Sequence, residues 1–295
     1  MSKNSSQSSS IRLEVQQSWW SMMGLGDGDR EWTLEEKFEQ IAKAGFTGIF
    51  GGIPPKEERG KWRRLLDDYG FSFGTGGFPA NAADLRSLLE DAKQFGAQYV
   101  NSQVIDSFVT GDDALWLLTE LDKEAHRLSM PHFVETHRGR ITQDLLRTAS
   151  YVEALPGLRL TIDFSHYIVG GEMDGFLPQY EEKAEPLFDL LLQRTSSIHA
   201  RLSNGQQVQV SVQNEPLLDR FSKWWSKGMQ YWLEEAKQLE DNGRDAAFPF
   251  VCELGPSPYE LAANQSNRFA ESILLKERAE DLWASLCSEH LSCNC

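Results

Sequence analysis

Three times within the first hundred residues, a helical pattern runs into a glycine and then directly into an apolar strand. The joins are Lys43-Ala-Gly45-Phe46, Asp68-Tyr-Gly70-Phe71 and Gln94-Phe-Gly96-Ala97, with the glycines 25 and 26 residues apart. Glycine suits the left-handed position that closes a helix, so each join reads as helix, stop, strand. The helical patterns span Thr33 to Lys43, Lys56 to Tyr69 and Ala82 to Phe95. Thr33-Leu-Glu-Glu36 has the spacing of a capping box, and Asn81 suits an N-cap. Helices of this length are too long for a leucine-rich solenoid of similar period. Strands alternating with helices through short joins predict parallel β/α units.

Continued along the chain, the pattern predicts strands near 12–18, 46–50, 71–74, 98–104, 132–135, 158–163, 197–201 and 248–253. Helices fill the intervals, the clearer ones being Asp112–Leu128, Ile141–Leu155, Glu182–Arg194 and Leu217–Leu239, with a last one near Asn267–Leu286. Eight of each, without a long linker, predict an α/β fold made of one (β/α)8 barrel. A chain of 295 residues with 40% hydrophobic side chains can fill such a barrel, which commonly needs about 250 residues. The expected organisation is a disordered tail over 1–11, a catalytic barrel over 12–286 and a C-terminal tail over 287–295.

Four polar residues each close an apolar strand run: Glu135 in His132-Phe-Val-Glu135, Asp163 in Leu158-Arg-Leu-Thr-Ile-Asp163, His199 in Ser197-Ile-His199, and Glu253 in Phe250-Val-Cys-Glu253. A carboxylate ending a buried strand lacks water unless the strand opens into a site. In a barrel, strand ends are where catalytic groups sit. Adjacent parallel strands lie about 4.8 Å apart, so side chains from strands five to eight can converge on one ion. Three carboxylates and one imidazole favour Mn²⁺ or Mg²⁺, with Co²⁺ or Zn²⁺ compatible, over the thiolate sites of structural zinc. Taken singly, each residue is most simply an ordinary polar strand end. Two neighbours strengthen the joint pattern: His166, three residues after Asp163, and Arg201, two residues after His199 and so on the same side of its strand.

Val134-Glu-Thr-His-Arg-Gly139, Thr161-Ile-Asp-Phe-Ser-His166 and Cys252-Glu-Leu-Gly-Pro256 carry a wider likeness. Over roughly residues 12–285 the chain resembles the xylose-isomerase-like barrels. That superfamily of sugar phosphate isomerases and epimerases includes ketose 3-epimerases, hydroxypyruvate isomerase, inosose dehydratase and endonuclease IV. The resemblance implies that Glu135, Asp163, His199 and Glu253 bind the metal, that His166 contacts substrate, and that Glu135 and Glu253 move protons. It departs from endonuclease IV, which uses several histidines on its early strands, whereas this chain has none before His126. It also departs at strand seven, where the basic residue is Arg201 rather than one several positions further on.

Other groups complete the expected site. Trp19 and Trp20 close the first strand and alternate sides, so one is core and one, Trp20, walls the pocket for a sugar's C–H face. Asn101 and Gln103 share a face and can serve hydroxyls or be satisfied inside the barrel. His137 is a candidate substrate contact, while Arg138 and Arg140 are read as pairing with the acidic surface. Trp224 and Trp225 read as core or interface, and His126 and His132 as structural. No glycine-rich loop opens a helix after strand eight, which favours an unphosphorylated substrate.

A net charge of −15 argues against nucleic acid or anionic membrane as partner. No apolar run approaches the ~20 residues of a membrane span, and Met1 to Ser10 lacks the apolar core of a secretory signal. Few cysteines suit a reducing cytoplasm. Cys287, Cys293 and Cys295 crowd the terminus beside His290 without a zinc spacing. The expected activity is a metal-dependent isomerase or epimerase of a small carbohydrate or keto-sugar, working by proton abstraction beside a carbonyl through an enediolate held on the ion. The alternatives are a lyase or dehydratase of a keto-sugar or inosose-like substrate, and a non-catalytic carbohydrate-binding barrel. The expected partner is the small-molecule substrate, and the long outer helices are compatible with a homo-oligomer.

Overall fold

The computed structural model describes residues 11–240, 246–260 and 268–292. Eight parallel strands close into a barrel: β1 Ile11–Ser18, β2 Gly48–Gly51, β3 Ser72–Gly77, β4 Tyr99–Ser102, β5 His132–Glu135, β6 Leu160–Ile162, β7 Thr195–Ala200 and β8 Ala246–Cys252. Each strand pairs with its sequence neighbours, and β1 closes the ring against β8, with Val15 opposite Phe250 and Gln17 opposite Cys252. The helices are α1 Leu34–Lys43, α2 Arg59–Tyr69, α3 Ala82–Phe95, α4 Gly111–Leu128, α5 Leu145–Ala154, α6 Ser165–Gly170, α7 Pro178–Leu192, α8 Glu215–Glu240 and α9 Arg268–Ser292. No helix among the described residues is long and apolar enough to cross a membrane.

The expected stop signals act as read. Gly45, Gly70 and Gly96 all adopt positive φ where α1, α2 and α3 end. Thr33 and Glu36 form the capping box of α1, and Asn81 accepts from the backbone N–H groups of Ala83 and Asp84 at the start of α3.

Three local features depart from the sequence reading. A two-stranded hairpin, Gly26–Asp27 with Arg30–Glu31, fills the first βα loop. The short helix α6 follows β6 directly, because a six-residue turn is too brief to leave a helical period. The last helix continues to Ser292, beyond the tail boundary expected at 287, since buried Leu286 keeps its end docked. Cys287 therefore stands on α9. Of the tail expected over 1–11, Ile11 instead opens β1, paired with Ala246; residues 1–10, the His290 side chain, Cys293 and Cys295 lie outside the described residues.

Two apolar cores follow from the period of two along each strand. One face packs outward against the helices through Ile49, Phe73, Ile162 and Phe248, against Phe38, Leu66, Leu89, Leu121, Phe188 and Phe221. The other face fills the barrel with a separate cluster of Phe50, Tyr99 and Val251, joined by Phe133. Below the rings, polar groups are satisfied in place: Gln16 Nε2 donates to Ser72 Oγ at 2.9 Å, and Tyr99 OH donates to Gln16 Oε1 at 2.8 Å. This plug closes the barrel beneath the strand ends.

His132 is structural, as expected, its Nε2 lying 2.8 Å from Ser102 Oγ. Desolvation at this position pushes its pKa down to about 4, below the ordinary 6.5. The folded protein therefore prefers the neutral ring, while the unfolded chain takes up a proton below pH 6.5. The resulting stability is complete above that pH and is lost as pH falls from 6.5 towards 4. At about 1.4 kcal/mol per unit, it amounts to roughly 3 kcal/mol. We predict that His132→Gln flattens the pH dependence of urea stability across this window relative to the parent. Parallel profiles for the two proteins refute the assignment.

Candidate functional site

Inward-facing positions one step above the plug carry the polar residues. Asn101 lies near the end of β4, with Gln103 just beyond it. Glu135 is the last residue of β5, Asp163 follows β6, His199 lies near the end of β7 with Arg201 just past it, and Glu253 follows β8. Because Val251 sits opposite His199 in the ladder, Glu253 falls beside Arg201 on the next inward level. All seven side chains belong to the C-terminal mouth of the barrel, and all but Gln103 are buried.

Glu135 accepts from Asn101 Nδ2 at one oxygen and from Gln103 Nε2 at the other, the latter at 3.0 Å. Both amides are therefore held within the protein and orient this carboxylate. Glu253 Oε2 meets His199 Nδ1 at 3.1 Å and accepts from Arg201 Nη2 at 2.8 Å, while Arg201 Nε donates to the Glu253 carbonyl at 2.9 Å. His199 Nδ1 also lies 3.6 Å from Glu135 Oε2. Asp163 Oδ1 accepts from the backbone and hydroxyl of Ser165 at the start of α6, and its Oδ2 faces Arg201 Nη1 at 3.6 Å.

Burial acts alike on the two glutamates, and their charged neighbours set them apart. It pushes Glu135 up to about 7 against the lowering by His199, with Glu253 and Asp163 adding repulsion. At Glu253 burial acts the same way, but His199 and Arg201 outweigh it and hold the group down to about 2. Asp163 is raised by burial despite Arg201. Burial would depress His199, yet Glu253 and Glu135 raise it overall.

His137 and His166 stand beside this cluster, ring to ring at 3.8 Å. Arg138 Nη1 lies 3.1 Å from His166 Nδ1. A guanidinium only donates, so Nδ1 accepts and the neutral ring carries its proton on Nε2. Burial and the neighbouring cations keep His166 well below its ordinary pKa, hence neutral. Its Nε2 lies 3.5 Å from Asp163 Oδ2 without a hydrogen bond between them. His137 is held down to about 4, chiefly by burial; its Nδ1 donates to the Arg138 carbonyl, which leaves Nε2 as a lone pair.

Above the cluster opens a cavity of about 560 Å³, lined among others by Trp20, Phe50, Gln103, His137, Arg140 and Tyr259. Both tryptophans are half-buried and line the cavity: Trp19 packs edge-on to Trp62 and against Phe38, while the Trp20 ring lies 5.7 Å from the Arg201 guanidinium. Tyr259 completes an aromatic clamp that the sequence reading missed: it meets Trp20 at 5.0 Å and lies over both Arg201 and Arg138. It sits in an irregular Pro-Ser-Pro-Tyr loop, where its six-residue distance from Glu253 was the available clue. The expectation that Arg138 and Arg140 pair with acidic groups is corrected. Among the described residues neither has a carboxylate within 4.0 Å, because Arg138 is spent on His166 and Arg140 turns into the cavity.

Two groups among the described residues bring three possible ligand atoms within 4.8 Å: Glu135 with His199 and Glu253, and Glu135 with His137 and His166. The second is poorly suited, because His166 presents an N–H there rather than a lone pair. The first fits a divalent cation. His199 turns Nδ1 towards both Glu135 and Glu253, and Asp163 Oδ2 is buried without a hydrogen-bond partner. Three carboxylates against the single Arg201 leave a formal charge of two to be met. Asp163 lies outside the three-residue group, on the far side of Arg201.

No protein-family model matches the chain, and no curated protein matches its sequence. Solved structures do match its fold. A probable 3-DHS dehydratase, AsbF, from Bacillus anthracis aligns with TM-score 0.56 at 13% identity, over 90% of this chain and 98% of that one. A xylose isomerase-like TIM barrel protein from Mycobacterium smegmatis, in complex with magnesium, aligns with TM-score 0.56 at 12% identity over 90% and 98%. An L-ribulose 3-epimerase gives 0.55 at 13% over 93% and 94%. The chain shares the (β/α)8 TIM-barrel fold of these proteins.

Gly255 is what lets Trp20 reach Arg201, since a Cβ there would enter the Trp20 ring. The loop cannot back away, because the Gly255 backbone is held at both ends by the Gln209 amide, at 2.7 and 3.0 Å. We predict that Gly255→Ala costs about 1–3 kcal/mol by overpacking and alters the near-UV circular dichroism in the same direction as Trp20→Phe. An unchanged spectrum and stability would show that the clamp is not tight.

Proposed function

We propose that the protein is a divalent-metal-dependent enzyme acting on a small carbohydrate or keto-sugar, as an isomerase or epimerase that transfers a proton beside a carbonyl. The observation that carries this reading is the buried Glu135–His199–Glu253 group, with Asp163 beside it, at the base of the cavity. Likeness of fold to the epimerase and to the magnesium-bound barrel supports it. A divalent ion held by Glu135, Asp163, His199 and Glu253, Mn²⁺ or Mg²⁺ by its oxygen-rich donors with Co²⁺ or Zn²⁺ compatible, supplies Lewis-acid polarisation of the carbonyl.

The chain's own groups divide the remaining work. One of Glu135 and Glu253 removes the proton from the carbon beside the carbonyl. The other returns a proton to the opposite face in epimerisation, or to the next carbon in isomerisation. Epimerisation calls for two bases because one carboxylate cannot reach both faces of a fixed carbon. Asn101 and Gln103 fix Glu135, and Arg201 fixes Glu253. His166, through Nε2–H, and the unpartnered Nη1 of Arg201 face the oxygen that gains negative charge. His137 offers a further substrate contact, and Trp20 with Tyr259 forms the wall for the sugar's C–H face.

A second reading is a lyase, in which the same proton abstraction is followed by loss of a hydroxyl from the adjoining carbon. Likeness of fold to the probable dehydratase favours it, and the departing oxygen would take the proton that the abstracting glutamate has gained, handed on directly or through the Nε2 lone pair of His137 or through His166.

Purified protein is expected to carry about one Mn, Mg, Co or Zn per chain by elemental analysis, with tight binding lost in Asp163→Ala and in His199→Ala, since removing one ligand opens the shell. Full occupancy in His199→Ala would disprove the ligand set, and a metal-free parent that binds no added ion would favour a non-catalytic barrel. On a panel of keto-sugars scored for isomers and dehydrated products, turnover in D₂O should place deuterium on the reacting carbon. With ion in excess, Glu135→Gln or Glu253→Gln should retain exchange of substrate hydrogen while product formation falls about 10²–10⁴-fold. A product without deuterium, as a hydride shift between carbons would give, excludes the two-glutamate route.

A further inference from the structure

Among the described residues that line the cavity, Arg140 is the one cation without a carboxylate partner. Most other arginines among the described residues are matched with carboxylates, as Arg59 with Asp91 at 2.7 Å, Arg86 with Glu124 at 2.6 Å and Arg220 with Glu181 at 3.0 Å, and Arg138 is taken up by His166. In a chain of net charge −15, carboxylates are abundant, yet none among the described residues lies within 4.0 Å of Arg140. Among the described residues its guanidinium makes one hydrogen bond, a long one from Nη1 to the Ile105 carbonyl at 3.4 Å. Its guanidinium lies 4.8 Å from the ring of Phe78, which is itself 66% exposed. Neither contact anchors a core.

The loops around Arg140 nevertheless hold it in place. Gly139, at φ +74, turns the chain after β5, and Arg140 N–H donates to the His137 carbonyl at 3.3 Å. Ile105 holds a positive φ of +36, unfavourable for a β-branched residue, and is tied through its N–H to the Pro79 carbonyl at 3.0 Å. The loops after β3, β4 and β5 thus meet at the Arg140 guanidinium on the wall of the cavity that holds Glu135 and Glu253. With a divalent ion present, the three carboxylates and Arg201 sum to no net charge, which leaves Arg140 uncompensated in that cavity.

We propose that Arg140 binds an anionic substituent of the substrate, a carboxylate or a phosphate ester, at the end remote from the reacting carbonyl. A planar guanidinium offers the paired donors that either oxyanion accepts. The inference rests on the carbohydrate reading for the rest of the ligand and narrows it to sugar acids or sugar phosphates.

The test uses the full-length protein with magnesium chloride and three ligands that lack a carbonyl and so do not turn over: gluconate, ribitol 5-phosphate and ribitol. Calorimetry should show at least one of the two anions binding tenfold or more tightly than ribitol, and the tighter anion identifies the substituent. Arg140→Gln and Arg140→Met, the second keeping the stem's packing, should each bring that anion to the ribitol level while leaving metal content unchanged. Raising sodium chloride from 50 to 500 mM should weaken the anion alone in the parent protein, which does not depend on either variant folding. Equal affinity for all three ligands in the parent overturns the proposal, as does an anion preference that survives in a folded variant. Absence of bound metal alongside an Arg140-dependent preference would instead overturn the metal reading and leave this one standing.

Discussion

Three carboxylates buried at one end of a closed barrel, against a single guanidinium, set the terms for everything around them. An isolated ion taken out of water costs several kcal/mol even after relaxation, so such a cluster persists only where hydrogen bonds and opposite charge surround it. Arg201 supplies the charge. Asn101, Gln103 and Ser165 supply donors, each from the adjoining strand or the turn that follows it. The aromatic clamp of Trp20 and Tyr259 holds the guanidinium flat across the gap, and Gly255 is the space that permits it. Below, the ring plug of Phe50, Tyr99, Val251 and Phe133 closes the barrel under the charges, so the cluster opens on one side only.

The barrel was largely legible in the sequence because its signals are local. Left-handed glycines, a capping box and a period of two along the strands are short-range statements, and they survive without knowing which strand pairs with which. The four strand-end polar residues were legible for the same reason: a buried run that ends in Glu, Asp or His marks its own anomaly. What those residues do to one another was not. Whether Asn101 and Gln103 serve a hydroxyl or Glu135 depends on the register of β4 against β5, which no local pattern encodes. Arg201 was legible as an inward-facing cation, but its commitment to Glu253 arises from the β7–β8 ladder. Tyr259 offered only its nearness to Glu253 as a clue, since an irregular loop has no period to read. Arg138 and Arg140 were misread because a strongly acidic chain makes pairing the default for any surface cation. Only the turn at Gly139 shows that both face away from the acidic surface.

The histidines show how hydrogen-bond chemistry separates residues that look alike in sequence. His137, His166 and His199 are all near Glu135, and distance alone admits two ligand groups. Arg138 decides between them by taking Nδ1 of His166 with a donor, which forces the proton to Nε2 and turns that ring into a hydrogen-bond donor. His199 is surrounded instead by Glu135 and Glu253, which favour whatever positive charge is placed there, a proton or a metal ion. The same residue type is thus set to two tasks by its immediate partners. Because Glu135 belongs to both groups, it forms the boundary between a region that attracts cations and one that offers hydrogen bonds to an oxyanion.

The mouth of the barrel is consequently polar in a graded way, and the gradient constrains how any substrate lies. Nearest the plug is the carboxylate cluster, which suits a cation and the oxygens that a cation polarises. Beside it stand the N–H of His166 and the guanidinium of Arg201, which suit an oxygen carrying negative charge. Across the cavity Trp20 and Tyr259 present ring faces, which suit C–H bonds, and at the outer wall Arg140 presents an unpaired charge. A ligand with a carbonyl at one end, hydroxylated carbons between, and an anion at the other matches this sequence of surfaces in one direction only. Reversed, its anion would meet the carboxylates and its carbonyl would meet a guanidinium with no carboxylate base beside it. Orientation therefore follows from electrostatic complementarity and does not require a tight steric fit, which suits a cavity whose walls come from the loops after several separate strands.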